Sequence, residues 1–326
     1  AGNIYDDGTT AFNVKGEIDT YLSAGDATKT VAGKAEKIES DLDVDLWAKI
    51  QIDATHKLSD SVTAFGSFEI ENGNGFGIWE GKFDDDNSVS TDDLYFGFTA
   101  GENFGIAAGE IGDFGDSLDA ITLDNTNEGF GYMDDFVSSL ESAGHGISMK
   151  YTTGGLKLIA DSYLTSKEDE DVAYGVSAEY AFNDMFTLGA SYQDQGNRAS
   201  TELPDGTKIA YDDYSVMGAK AALTLGNFGA AVNYIFEDIE VAGTDADLDT
   251  ISASLDYKID KARLYTSFGF TDGDDDQELN YYTIGTDYSV SSNILAFIEY
   301  SDYEKKFDNA NKFEGDAVIA GMYYTF

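Results

Sequence analysis

The chain has 326 residues, with 62 Asp and Glu against 19 Lys and Arg, for a formal net charge of −43. Nucleic acid is a poor partner for such a chain, because a phosphate backbone is held by basic patches. With no cysteine and only two histidines, His56 and His145, disulfide scaffolds, thiolate metal centres and thiol catalysis are excluded, and histidine chemistry has little to work with.

Alternation is the dominant pattern along the chain. Near the start, Phe12, Val14, Gly16, Ile18, Thr20 and Leu22 oppose Asn13, Lys15, Glu17 and Asp19. From Leu42, the row Leu42, Val44, Leu46, Ala48, Ile50, Ile52 and Ala54 opposes Asp43, Asp45, Trp47, Lys49, Gln51 and Asp53. A period of two sustained from 42 to 54 puts an apolar and a polar row on opposite faces of one strand. Soluble strands usually run about five or six residues, whereas membrane-crossing strands need about 9–11. The same rule holds over 62–70, 156–164, 228–236, 251–257 and 262–270. No run of 18 apolar residues reads as a transmembrane helix. The opening residues Ala1-Gly2-Asn3-Ile4-Tyr5 fit a mature chain after signal-peptide cleavage, a cytosolic start or a trimmed chain equally.

Connections alternate in length. Short ones fall at 57–60, 100–103, 152–155, 182–185, 225–227, 258–261 and 289–293. Long, acidic, Gly-rich segments fall at 72–91, 110–143, 194–212, 237–248, 271–278 and 302–315. This is the loop asymmetry of an outer-membrane barrel, and the connections delimit about sixteen strands. No linker breaks the composition, so residues 1–326 read as one domain, an all-β transmembrane antiparallel β-barrel. Outward-facing aromatics agree with this. Phe104, Tyr151, Phe186, Phe228, Tyr257 and Tyr288 sit at the short-turn ends, while Tyr192, Phe236, Phe270, Tyr282 and Tyr300 lie toward the long-loop ends. Two belts of amphipathic rings are what two membrane–water interfaces select.

The last strand reads Gly321-Met322-Tyr323-Tyr324-Thr325-Phe326, with Tyr324 and the C-terminal Phe326 on the outward parity. This ending resembles the assembly signature of Gram-negative outer-membrane proteins. With about sixteen strands, the full length resembles the trimeric general porins, particularly acidic ones of marine gammaproteobacteria. The resemblance implies an outer-membrane location for a mature chain, a homotrimer in contact with lipid and lipopolysaccharide, no catalysis and no cofactor.

It also implies that the third long loop, after the fifth strand, folds into the lumen as a constriction. Here that loop begins at Glu110, and its candidate constriction acids are Glu110, Asp113, Asp116, Asp119 and Asp124. A solvated acidic surface loop is the competing reading. The segment 134–141 reads as a short helix behind an Asp cap. General porins set a basic cluster on the opposite wall, and the lumen parity offers Lys15, Lys49, Lys150, Lys157, Lys220 and Arg263. The family pattern leans on clustered arginines, whereas this chain has only Arg198 and Arg263. Lysine gives a weaker fixed array than stacked guanidinium groups. With Asp43, Asp45, Asp53 and Glu69 on the same parity, a negative lumen that favours cations is expected.

Other chemistry is weak. The runs 84–86, 168–171 and 274–276 offer carboxylate oxygens to adventitious Ca²⁺ or Mg²⁺, but none has EF-hand spacing, so solvated loops are the better reading. Trp47 and Tyr95 face the lumen and offer at most a thin sugar-stacking surface. The segment 72–91 resembles the loop that reaches a neighbouring subunit in porin trimers. The expected function is a passive, cation-selective channel for small hydrophilic solutes. Two alternatives stand beside it: a sugar or chitooligosaccharide porin, and a secreted acidic β-rich protein that binds carbohydrate or calcium.

Overall fold

Sixteen antiparallel strands close into a barrel in the computed structural model, which describes residues 2–73, 89–141 and 143–326. A short leading strand, β1 (Gly2–Asp6), precedes the wall. The wall begins with β2 (Thr10–Val31), β3 (Lys34–Lys57), β4 (Val62–Gly73), β5 (Val89–Ala100) and β6 (Phe104–Gly109). It continues with β7 (Gly146–Thr153), β8 (Leu156–Tyr163), β9 (Ala173–Ala181) and β10 (Phe186–Asp194). A small hairpin, β11 (Ser200–Glu202) with β12 (Lys208–Ala210), stands apart from the wall. The wall resumes with β13 (Asp213–Leu225), β14 (Phe228–Val241), β15 (Thr244–Ile259) and β16 (Ala262–Gly273). It ends with β17 (Glu278–Ser291), β18 (Ile294–Lys306) and β19 (Lys312–Thr325).

Closure comes from β19 pairing with β2, from Lys312 opposite Thr30 to Thr325 opposite Glu17. Gly16 and Phe326 then exchange both backbone hydrogen bonds at 2.9 Å. Below that point β1 takes over the same flank of β2, pairing Gly2 with Val14. Within hydrocarbon every backbone polar group must be satisfied internally, and a closed ladder does this.

The packing is inverted relative to a soluble protein. Leu46, Ile251 and Ile284 are more than half exposed on the outer face, at 57%, 56% and 58%. Gln51, Ser252, Thr283 and Glu299 are buried on the inner face. In water, so large an apolar exterior would be an aggregation surface. In a bilayer it is the solvated face.

Several strands run longer than their alternation indicates. The segments 237–248 and 302–315, expected as long loops, are mostly strand, and 271–278 is half strand around a 3-10 turn. β14 and β15 are joined by only Ala242 and Gly243, at φ 53 and 74, and β2 and β3 by Ala32 and Gly33, at φ 49 and 75. Two successive positive φ values give the turn whose twist suits a tight hairpin. Beyond the hydrocarbon no apolar row is needed, so these strand ends carry acids on both faces and read as loop. Among the described residues, the long segments that remain are 110–145 and 195–212. Most of the segment read as a subunit-reaching loop, and the acidic run 84–86, lie outside the described residues.

The inward loop carries a 3-10 turn over Ser117–Ile121 and one helical turn, α1 (Tyr132–Asp135). The helix expected over 134–141 therefore starts earlier and stops sooner. Tyr132 and Met133 are buried and fix its start. Val137, Ser138 and Ser139 then favour non-helical backbone and end it.

A candidate channel constriction

The loop after β6 is fastened to the inner wall at one strand after another. At its root the Glu110 carboxylate accepts the Leu94 N–H at 3.0 Å, and Glu110 N–H returns a bond to the Leu94 carbonyl. Phe114 stacks on Phe65 with ring centroids 5.5 Å apart, and Lys150 Nζ lies 4.3 Å from its ring centre while donating to its carbonyl. Asp116 caps the 3-10 turn through the Leu118 N–H at 2.5 Å and accepts the Tyr163 hydroxyl. Asn233 Nδ2 donates to the Ile121 carbonyl at 2.7 Å. Farther round, Glu299 of β18 accepts the N–H groups of Asn127 and Glu128 at 2.6 and 2.8 Å.

The loop then doubles back nearer the long-loop end. Tyr132 and Tyr214 both donate hydroxyls to Glu237, which lies farther along β14 than Asn233. Gln195 Nε2 donates to the Ser138 carbonyl at 2.6 Å. Hydrogen bonds to charged groups are worth about 1.5–3 kcal/mol each, so carboxylates are the stronger fastenings. Burial, aided by neighbouring acids, raises the carboxyls of the loop itself. Asp119 and Asp134 are pushed up to about 6, and Glu141 to about 7. Asp135 also rises to about 7 despite the Gly131 N–H it accepts.

Beside this loop, cavities open against β2 and β3. One of about 370 Å³ lies among Lys15, Glu17, Lys49, Gln51 and Asp113. Another of about 360 Å³ lies among Glu17, Asp19, Trp47, Asn127 and Glu128. The loop supplies Asp113, Asn127 and Glu128, and the barrel wall supplies the rest. Carboxylates outnumber ammonium groups along this passage. Glu17, Asp19 and Glu128 were absent from the sequence-derived set: the parity of β2 marks the first two as lumenal, but only the path of the loop brings Glu128 opposite them.

The sequence-derived acids separate into different environments. Asp113 and Asp124 are exposed, and Asp113 reaches the first cavity. Asp116, at 1% exposure, is a buried anchor and does not face water, because its carboxylate is consumed by the turn and Tyr163. Glu110 stays at the loop root, and Asp119 completes the cap by accepting the Asp116 N–H at 3.2 Å. On the wall, Asp43 is exposed and bonds the Val44 N–H, while Asp45 is half-buried.

The six lumen cations do not form one cluster. Lys15 pairs with Asp53 at 3.7 Å and Lys49 with the buried Glu69 at 3.3 Å. Lys157 and Lys220 share Glu179 at 3.8 and 3.6 Å, and Arg263 pairs with Asp287 at 2.6 Å. Lys150 is taken up by the Phe114 carbonyl and ring. Positive charge is thus cancelled at Lys15, Lys49 and Arg263, whereas Lys157 and Lys220 divide one carboxylate and Lys150 has none. The lumenal aromatics are also separated: Trp47 packs on the Tyr21–Phe297–Ile319 cluster and Tyr95 on the Phe114 cluster. Among the described residues, three carboxylates converge at Glu69, Glu71 and Asp92. The acidic runs at 168–171 and 274–276 instead bond neighbouring segments, as when Asp274 accepts the Asp247 N–H at 3.2 Å and Asp171 accepts the Asn197 N–H at 3.3 Å. At the seam, the Tyr324 and Phe326 rings lie 5.8 Å apart on the outer face.

A closed sixteen-stranded wall with an inward-fastened loop is the architecture on which the comparisons converge. A family profile described as Gram-negative porin matches residues 7–308. The chain belongs to the Gram-negative porin family. OmpT of Vibrio cholerae superposes with a TM-score of 0.71 at 15% identity, over 100% of both chains. OmpF of Salmonella typhi, in complex with daunomycin, gives 0.65 at 16% identity, again over 100% of both chains. A variant of the Rh. blastica porin gives 0.60 at 16% identity, over 97% of this chain and 100% of that one. At these identities the likeness speaks for the fold. No curated protein matches the chain. This porin is an outer-membrane protein of a Gram-negative bacterium, a channel rather than an enzyme.

Proposed function

We propose that this porin is a passive, cation-preferring diffusion channel for small hydrophilic solutes and ions, working as a homotrimer without catalysis or a resident cofactor. The observation that carries this reading is the charge arrangement of the passage. Lys15 and Lys49 are each held by a wall carboxylate, while Glu17 and Asp113 line their cavity and Glu17, Asp19 and Glu128 line the next, which holds no lysine. A passage with excess negative charge raises the local cation concentration and repels anions.

The test is the zero-current potential of the purified protein in a planar bilayer, under a KCl gradient of about tenfold, where steering is strongest on the dilute side. A potential directed by K⁺ supports the reading, and one directed by chloride overturns it. Conductance steps in groups of three, with a heat-sensitive trimer on gels, would support the assembly. A trimer form is described for the Vibrio cholerae OmpT, whose fold this chain shares. Separated lumenal aromatics give no support to a sugar track, so no sugar preference is assigned. The secreted-protein alternative is incompatible with the apolar exterior.

A further inference from the structure

A third cavity, of about 540 Å³, opens above the constriction toward the long-loop end of the barrel. Phe136 after α1 lines one side, the β11–β12 hairpin another, and the ends of β18 and β19 a third. Lys305 projects from the lumen face of β18, the parity that also buries Glu299, Ser301 and Tyr303. Its ammonium stands 5.0 Å from the Phe307 ring centre and 5.9 Å from that of Phe136. It makes no hydrogen bond or ion pair among the described residues. Glu237, whose carboxyl acts on Lys305 through space, already accepts two phenol hydroxyls.

Lys29 supplies a second cation to the same cavity. Phe313 stacks on the buried Tyr303, with centroids 5.5 Å apart and an interplanar angle of 22°, so Tyr303 backs the Phe313 ring that faces the cavity. Three acids also line the cavity: Asp135 accepts the Gly131 N–H at 2.7 Å, Asp205 lies within the field of Lys29, and Glu202 is exposed, which leaves Lys305 as the lining cation without an ion pair among the described residues. Cation–π contacts hold an ammonium weakly and leave its hydrogen-bond donors free for an acceptor.

We propose that this cavity binds small organic anions carrying a carboxylate on a flat ring, with Lys305 as counter-ion and the half-buried Phe136 and Phe313 rings as stacking partners. Charge and stacking are both required. A carboxylate without a ring has only a solvated ion pair, and a ring without charge leaves the ammonium unmatched. The site gives ring-bearing anions a foothold at the mouth of a channel whose interior disfavours them, so it deepens the channel reading. Binding itself does not depend on conduction.

Isothermal titration of the detergent-folded barrel with 4-hydroxybenzoate, acetate and 4-hydroxybenzamide tests the site. Binding of the benzoate alone is expected, with Kd on the order of 1 mM, as suits one ion pair and one stack. Lys305→Gln should weaken it about tenfold, and Lys305→Arg should retain it, since either cation pairs with a carboxylate. Heat-modifiability on gels confirms that each variant is folded. Equal heats for the benzamide, or an unchanged Kd in folded Lys305→Gln, would overturn the site. A barrel that binds the benzoate yet passes no ions would overturn the channel reading alone.

Discussion

Asp113 is the acid on which selectivity should depend most visibly, being exposed and shared with the cavity of Lys15 and Lys49. A unit charge about 8 Å from a permeating ion in water is worth ~0.5 kcal/mol, of opposite sign for cation and anion, so Asp113→Asn should lower the cation-to-anion permeability ratio about fivefold at low salt. The zero-current potential in a salt gradient reads this directly. Asp116 behaves differently despite standing three residues away. Asp116→Asn should leave the permeability ratio near wild type and loosen the loop, because its carboxylate serves the turn and Tyr163. Glu237→Leu removes the acceptor of two phenols and strands both hydroxyls, which should cost about 2–5 kcal/mol. Denaturant titration of the folded barrel checks that loss. Alternation identified these side chains as lumenal or loop-borne, but not which carboxylates were spent on hydrogen bonds. That distinction depends on partners 47 and 105 positions away in sequence, Tyr163 for Asp116 and Tyr132 for Glu237.

The inward loop is an element whose stability should depend on pH. Asp119, Asp134, Asp135 and Glu141 all have carboxyls raised by burial and by one another, to between about 6 and about 7. A raised folded-state value favours the protonated, folded loop. That contribution is complete below the ordinary carboxyl range of about pH 4 and is lost as pH rises through about 6 to 7. Limited proteolysis should therefore cut this loop faster at pH 8 than at pH 5, and equal rates would contradict the raised carboxyls. The same deprotonation adds negative charge to the lumen, so cation preference should rise across that interval. Within the loop, the sequence located the long connection but misplaced its helix. A turn pinned by buried Tyr132 and Met133 is decided by the wall it meets, not by local propensity.

At the scale of the barrel, one seam carries the closure. Gly16 lies where β2 meets the chain terminus, and a Cβ there would stand 2.4 Å from the Phe326 ring. Gly16→Val should therefore displace Phe326 from its seat, at a cost of about 1–3 kcal/mol for overpacking, and lower the yield of heat-resistant barrel on refolding into micelles. Deleting Phe326 should have a similar effect by removing both Gly16 backbone bonds. Unchanged refolding in both variants would mean that closure rests on the β19–β2 ladder alone.

The inside-out wall, the short turns and the outer-membrane character follow from period-two alternation, because a bilayer selects an apolar row wherever a strand crosses it. That selection acts residue by residue and is therefore written into local sequence. Outside the hydrocarbon it ceases, so the extended ends of β14, β15, β18 and β19 carried no apolar row to announce them. The partners of the lumen cations, the path of the loop round the wall, and the meeting of Lys305 with Phe136 were likewise decided by tertiary structure. Each depends on which side chains face one another across a curved wall, a relation between distant strands that no single strand's pattern contains.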